Sequence, residues 1–424
     1  MSAHLTIDPI KLSQPAGASL AFMGIKGCVP LWHGAQGCTA FAKILFIQHF
    51  REPMPFQTTA LTHINVVMGG ENNIAEAVEN LKSKTRVIAI HTTGIGETSG
   101  VDLKRAVRNL RAAHPELMII GVGTSDYEGS LETGYVKAAQ AALDAITKPR
   151  SAPRRKQVFL APGPYITPAE VNALKEYVEM FGLRPVAFPD LGDSLSGWLN
   201  DAEYNAGSIG GTPVDEITTL SDSAHVITIG SSMRPLGESF AKTHGIEVSY
   251  YDNLAMLDEV DDFFALLSRL SGAAVPQLIR RARRGLQDAL LDTHFYLGGI
   301  TAALAGDPEF LDRWRGPLAD IGVNLVSVSS LTRDRYPSGG LLDFERAITG
   351  QDVALLIGNS HVAELAGRLR VPAVRAGIPV YDRIGEPQRV RLGYGGAASL
   401  YMEAANAVMS GARHTAPYVS SLPV

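Results

Sequence analysis

An α/β architecture built on parallel sheets is what this sequence predicts. Three times a β-rich apolar segment runs into a glycine or proline turn and then into an amphipathic helical stretch, the alternation expected of parallel strands covered by helices. At 424 residues and 46% apolar composition the chain can bury more than one core, and at about 100 to 200 residues per domain the length suggests two to four domains, of which three is the working count. The segment KPRSAPRRK at 148–156 combines proline with charge ahead of a fresh strand, which suits a boundary between domains.

The elements follow in order. In the first region, residues 1–150, an apolar strand at 87–90 leads into the glycine-rich turn TTGIGETSG at 92–100, a helix at 101–113 and a strand at 118–122. The second region, 151–290, carries a strand at 157–161, a helix from 168 that stops on Gly182, and a strand at 184–188. That is a β-α-β unit with glycine at the helix stop. A further strand at 225–229 and a long helical stretch around 276–291 lead to the third region, 291–424. There 321–328, 353–357 and VPAVRAGIPVY (371–381) read as strands, and 397–408 as an amphipathic helix that packs back on earlier elements.

Composition narrows the functional classes. A formal charge of -5 gives no positive field that would gather phosphate backbones, so neither nucleic acid nor an anionic membrane is an expected partner. The first twenty residues lack the basic patch and apolar run of a secretory leader, and no stretch approaches a membrane-spanning length, which points to the cytoplasm. Cys28 and Cys38 are the only cysteines, far from a disulfide framework and in keeping with a reducing compartment.

The most specialised segment is GCVPLWHGAQGCTAFAKILFIQHFREP at 27–53. A thiolate that ligates an iron-sulfur cluster needs close backbone approach, because amide N–H groups directed at cluster sulfurs stabilise their charge, and glycine permits it. Gly34 and Gly37 are suitably placed beside Cys38. From spacing alone, an isolated cysteine is more often an inert buried hydrophobe than a ligand. Four thiolates are the usual requirement, so ligation by Cys38 implies further ligands from another chain and an obligate interface. Cys28 reads as a buried free thiol. His33, His49 and His63 follow none of the short paired spacings of zinc sites and read as hydrogen-bonded fold residues. TTGIGETSG is a weak match to a dinucleotide fingerprint, with Gly100 one position late, and no GxxxxGK[ST] element exists for P-loop chemistry. Ser360 and His361 in GNSH lack a nucleophile-elbow context and read as a strand-end turn lining a cleft; RRARRG at 280–285 reads as a solvated helix face, and Tyr381, Asp382 and Arg383 as structural.

Taken in series, HGAQGCTAF at 33–41, HFREP at 49–53, QTTA at 57–60, TTGIGETSG at 92–100 and LDTHF at 291–295 resemble the NifN family of nitrogenase cofactor biosynthesis proteins. FGLRPVAFPDL at 181–191, IGNSH at 357–361 and RAGIPVYD at 375–382 extend the resemblance over nearly the whole chain. It implies three Rossmann-like α/β domains like those of the molybdenum-iron protein β subunit, and an α2β2 heterotetramer with a NifE-type subunit. It also implies that Cys38 gives one thiolate to an interface [4Fe-4S] cluster whose other three come from that partner, with Gly34 and Gly37 making room. The iron-molybdenum cofactor precursor, delivered by NifB, would be held mainly by the partner, with the nitrogenase iron protein docked nearby. Residual reductase activity in the complex stays open. Two alternatives remain. The β subunit of a nitrogenase-like reductase should present three thiolates in its first domain where two cysteines stand here, and a cluster-free small-molecule-binding α/β protein would be indifferent to Cys38.

Overall fold

The computed structural model describes residues 9–197, 205–330 and 335–411. Its α/β class is the one expected, with three four-stranded sheets, all parallel and covered by helices. The first sheet holds β1 (Cys28–His33), β2 (Gln57–Thr58), β3 (Val87–Thr92) and β4 (Met118–Val122) in the order β2-β1-β3-β4. The second holds β5 (Arg154–Pro162), β6 (Arg184–Ala187), β7 (Ser223–Ile229) and β8 (Glu247–Tyr251) in the order β6-β5-β7-β8. The third holds β9 (Thr301–Gly306), β10 (Asn324–Ser329), β11 (Val353–Gly358) and β12 (Ala373–Arg375) in the order β10-β9-β11-β12. In each sheet the chain moves one way from the first strand and then returns to its other side. The crevice between the first and third strands, beyond their carboxyl ends, is where such sheets take ligands.

Burial on both faces explains why the strands read as continuous apolar runs: β1 and β3 are buried at every position. The cores are continuous with one another. One apolar cluster joins the first sheet and its helices to Phe159, Val226 and Phe240 of the second, and another joins the second sheet to Leu304, Trp314 and Leu355 of the third. The segment at 148–156 is fixed in place: Asp222 accepts the N–H groups of Ser151 (2.8 Å) and Ala152 (2.9 Å), and β5 begins at Arg154. Residue 290 falls inside the continuous helix Gln277–Leu297. The ends of the outer two regions, residues 1–8 and 412–424, lie outside the described residues.

Two sequence expectations need correction. TTGIGETSG is not an open turn: Thr93 caps a short helix, Gly94–Thr98, and only Gly100 takes the left-handed backbone (φ 73°). VPAVRAGIPVY is strand only over Ala373–Arg375, because Gly377 (φ 82°) and the cis Ile378-Pro379 bond turn the chain out of the sheet. The helix Gln14–Met23, which no sequence pattern announced, is buried at all ten positions against the helix Leu131–Ile146. A Cβ on Gly17 would lie 1.8 Å from the Leu131 carbonyl oxygen, and one on Gly134 2.0 Å from that of Gln14. Such close backbone contact leaves no polar face for periodicity to reveal.

Candidate functional site

At the switch point of the first sheet, β1 ends on His33 beside Thr92, the last residue of β3. The two outgoing loops mesh. Thr93 donates its N–H (3.1 Å) and its hydroxyl (3.2 Å) to the His33 carbonyl oxygen. A Cβ on Gly34 would stand 2.4 Å from Thr93 Oγ1, and one on Gly96 2.3 Å from the His33 carbonyl oxygen, so each loop is glycine where the other passes. HGAQGC and TTGIGET, sixty residues apart in sequence, therefore form one unit. Gly34 serves this packing, whereas Gly37 faces open space with nothing within 4 Å of its missing Cβ. Gly34→Ala is expected to lower the melting temperature and displace the Cys38 loop, while Gly37→Ala leaves the isolated chain's melting temperature nearly unchanged; thermal unfolding of both variants checks this.

Cys38 lies in the first turn of the helix Gln36–Phe50, partly buried and still accessible. Burial, and then the nearby Asp126 carboxylate, pushes its thiol up. In this chain the group is a neutral thiol, and a bound metal would supply the positive charge that makes it a thiolate. Asp126 is itself held by the Gly94 N–H at 2.8 Å. Cys28, the first residue of β1, is fully buried; its thiol is raised far more strongly, by burial, and it is free of any disulfide, as expected of an inert core thiol.

His33 and His49 are hydrogen-bonded within the fold as expected, whereas His63 has no such bond to any described residue. His33 Nδ1 is 3.1 Å from Thr59 Oγ1, and burial lowers its pKa to about 4. His49 accepts the Val380 N–H at 3.0 Å and is likewise lowered by burial to about 4. His91, not singled out from sequence, is lowered by burial to about 3 and lies 3.0 Å from Ser19 Oγ. His63 is exposed at the start of the helix His63–Met68. Among the described residues no group of three or more His, Cys, Asp or Glu side chains is placed to hold a metal ion.

The far end of the Cys38 helix is anchored to the third region. Arg51, in left-handed conformation at its C-terminus, donates to the Tyr381 carbonyl oxygen (3.1 Å), next to the His49–Val380 bond. Asn359 caps the helix Ser360–Leu369, and the Ser360 hydroxyl is committed to Asp382 at 2.6 Å. His361 faces Tyr381 Oη at 3.4 Å. IGNSH and VYD are thus a clamp on the anchoring loop, with no nucleophile and base pair. In RRARRG, Arg283 forms a two-pronged ion pair with Asp261 (2.8 and 2.6 Å), and Arg280, Arg281 and Arg284 face solvent as expected.

Large apolar side chains stand exposed on the Cys38 helix and on two short helices of the same region. Phe41, one turn on along the same helix, is 72% exposed, and Ile44 follows it; Val67 (84%) and Met68 (80%) stand exposed on the helix His63–Met68, with Ile64 beside them and Ile95 on the neighbouring Gly94–Thr98 helix. Aliphatic and aromatic side chains so displayed mark an interaction surface. The sequence held a signal for it: six of the eight residues of FAKILFIQ are apolar, more than one buried face takes up, so that Ala42 and Phe46 are buried inside and Phe41 and Ile44 are left over.

Comparison with known proteins agrees with this geometry. The family described as nitrogenase component 1 type oxidoreductase matches residues 13–409. The nitrogenase iron-molybdenum cofactor biosynthesis protein NifN of a Nostoc species is 39% identical over 93% of this chain and 91% of its own length, and that of Klebsiella pneumoniae is 35% identical over 99% and 94%. Among solved structures, a chain of nitrogenase Cp1 at pH 6.5 superposes with a TM-score of 0.90 at 28% identity, covering 97% of this chain and 94% of that one. The chain belongs to the nitrogenase component 1 type oxidoreductase family, among its NifN members.

Proposed function

We propose that this chain is the β-type subunit of a NifE–NifN scaffold on which the iron-molybdenum cofactor precursor is matured before transfer to nitrogenase, and that Cys38 gives one thiolate to a [4Fe-4S] cluster shared with the NifE-type subunit. The observation that carries it is the placement of an accessible thiol at the first sheet's switch point, on a helix that also leaves Phe41 and Ile44 exposed. The residues fit such a group on one side only: Cys38 Sγ as ligand, with open space at Gly37 for approach. When bound, the cluster would relay electrons; the chain's own part is to fix the thiol, exclude water with Phe41, Ile44, Val67 and Met68, and present the joint to the iron protein.

In this proposal the precursor, received from NifB, is held mainly by the partner. Three α/β units at 1–150, 151–290 and 291–424, an α2β2 assembly and a cytoplasmic setting complete the proposal; among the described residues no helix is long and apolar enough to cross a membrane. The alternative, a reductase β subunit supplying three thiolates, has less support, since one of only two cysteines is sealed in β1.

The test is anaerobic co-purification with a NifE-type subunit. The wild-type chain is expected to elute as a pair of heterodimers, and Phe41→Asp with Met68→Asp as an unassociated, folded chain. A wild-type chain that stays alone in the presence of that subunit would sink the scaffold assignment.

A further inference from the structure

Gly163 follows β5 and Gly230 follows β7, the first and third strands of the second sheet, so both stand at its switch point, where an open α/β sheet takes its ligand. In this chain a side chain from another sheet's loop is already there. Glu309, three residues beyond β9 on the helix Pro308–Asp320, is fully buried between the two glycines. A Cβ on Gly163 would stand 2.3 Å from Glu309 Oε1, and one on Gly230 2.7 Å from its Cδ. The carboxylate accepts the N–H of Tyr165 (3.2 Å), the N–H of Ser232 (3.3 Å) and the Ser232 hydroxyl. Two main-chain donors, a hydroxyl and two glycine clearances are the parts of an anion site.

The first region completes the arrangement. Glu132 accepts the Glu309 N–H at 2.9 Å, while Asp307 accepts the Ser130 hydroxyl (2.8 Å) and the Glu132 N–H (3.3 Å). The helices starting at Leu131 and Pro308 thus cap one another's first turns, which fixes the backbone from which Glu309 projects.

We propose that Glu309 is a built-in ligand: the second sheet's switch point is a complete carboxylate site, and the third region's own carboxylate fills it, locking the regions together and closing the crevice to any free ligand. The site is independent of Cys38 and of the cluster. Truncation of Glu309 should therefore open a crevice that takes a small free carboxylate, as an apolar cavity left by truncation takes a small apolar molecule.

Thermal unfolding of the full chain, wild type and Glu309→Ala, in sodium formate and in sodium chloride of equal ionic strength tests this. Glu309→Ala is expected to melt several degrees below wild type and to regain part of the loss saturably in formate, while wild type responds alike to both salts. An equal response of the variant to formate and chloride would overturn the proposal. Where Glu309→Ala does not fold, Gly163→Ala in the intact chain decides: a methyl directed at the carboxylate is expected to lower the melting temperature, against little change for Gly367→Ala, whose helix position has open space. An unchanged melting temperature for Gly163→Ala would overturn the proposal as well.

Discussion

Cys38→Ala, co-purified anaerobically with a NifE-type subunit, is expected to lose about four iron atoms per heterodimer, with the paramagnetic resonance signal of one cluster, while the heterodimer stays intact. The expectation of an intact heterodimer follows from where binding energy resides. The thiol contributes little area beside Phe41, Ile44, Val67 and Met68, which remain to drive association. The loss of iron follows from ligand count, because with Cys38 gone no thiol of this chain can replace it. Cys28 is fully buried in β1, on the far side of five strand residues from the loop that leads into the Cys38 helix. Cys28→Ala is the matched control: it leaves a small core cavity, costing about 1 to 2 kcal/mol of stability, and should keep the iron. Retained iron in Cys38→Ala would remove the ligand assignment and place the cluster wholly on the partner.

How much of this was legible in the sequence depends on whether a side chain's role is set locally. The strands β3, β4, β5 and β11 were readable because parallel strands buried on both faces are short unbroken apolar runs between glycine or proline turns. The helix Pro168–Glu179 was readable from its place between two strands and from Gly182 at its stop, whereas its capping box, Thr167 with Glu170, was seen only in the structure. The helix Gln14–Met23 was not, since a helix buried all round has no polar stripe. At the site, HGAQGC stood out because two glycines and a cysteine crowd one turn, but the division of labour between them is long-range. Gly34 yields to Thr93, and only Gly37 faces outward. The buried carboxylates were invisible for the same reason: Glu309 looks like any first-turn acid until Gly163 and Gly230, each more than seventy residues away, are found around it.

Arg391→Met is expected to cost about 3 to 5 kcal/mol, among the largest losses available to a single substitution here. Arg391 is almost fully buried and holds Glu386 through two bonds (2.6 and 3.0 Å) and Glu403 through two more (2.8 and 3.2 Å), while its N–H donates to Glu170 at 2.8 Å. Its guanidinium also lies 5.4 Å from the centre of the Trp314 ring. Methionine keeps much of the stem's packing but strands the Glu386 carboxylate in a buried site. Burial already pushes the Glu386 carboxyl above its ordinary value, against the pull of Arg391. Without that pull its folded-state pKa rises further, so the unfolded chain releases this proton first as pH increases. The variant's deficit should therefore be smallest below the ordinary glutamate range and grow as pH rises toward the new folded value. Denaturant unfolding at pH 5 and pH 8 measures this. Arg391→Lys should fall between, since one ammonium cannot reproduce the fork that binds two carboxylates. Adding Glu386→Gln to Arg391→Met separates the causes. Recovery of most of the loss identifies the stranded charge, whereas a double variant as unstable as the single one assigns the loss to the guanidinium's packing on Trp314 and its bonds to Glu403.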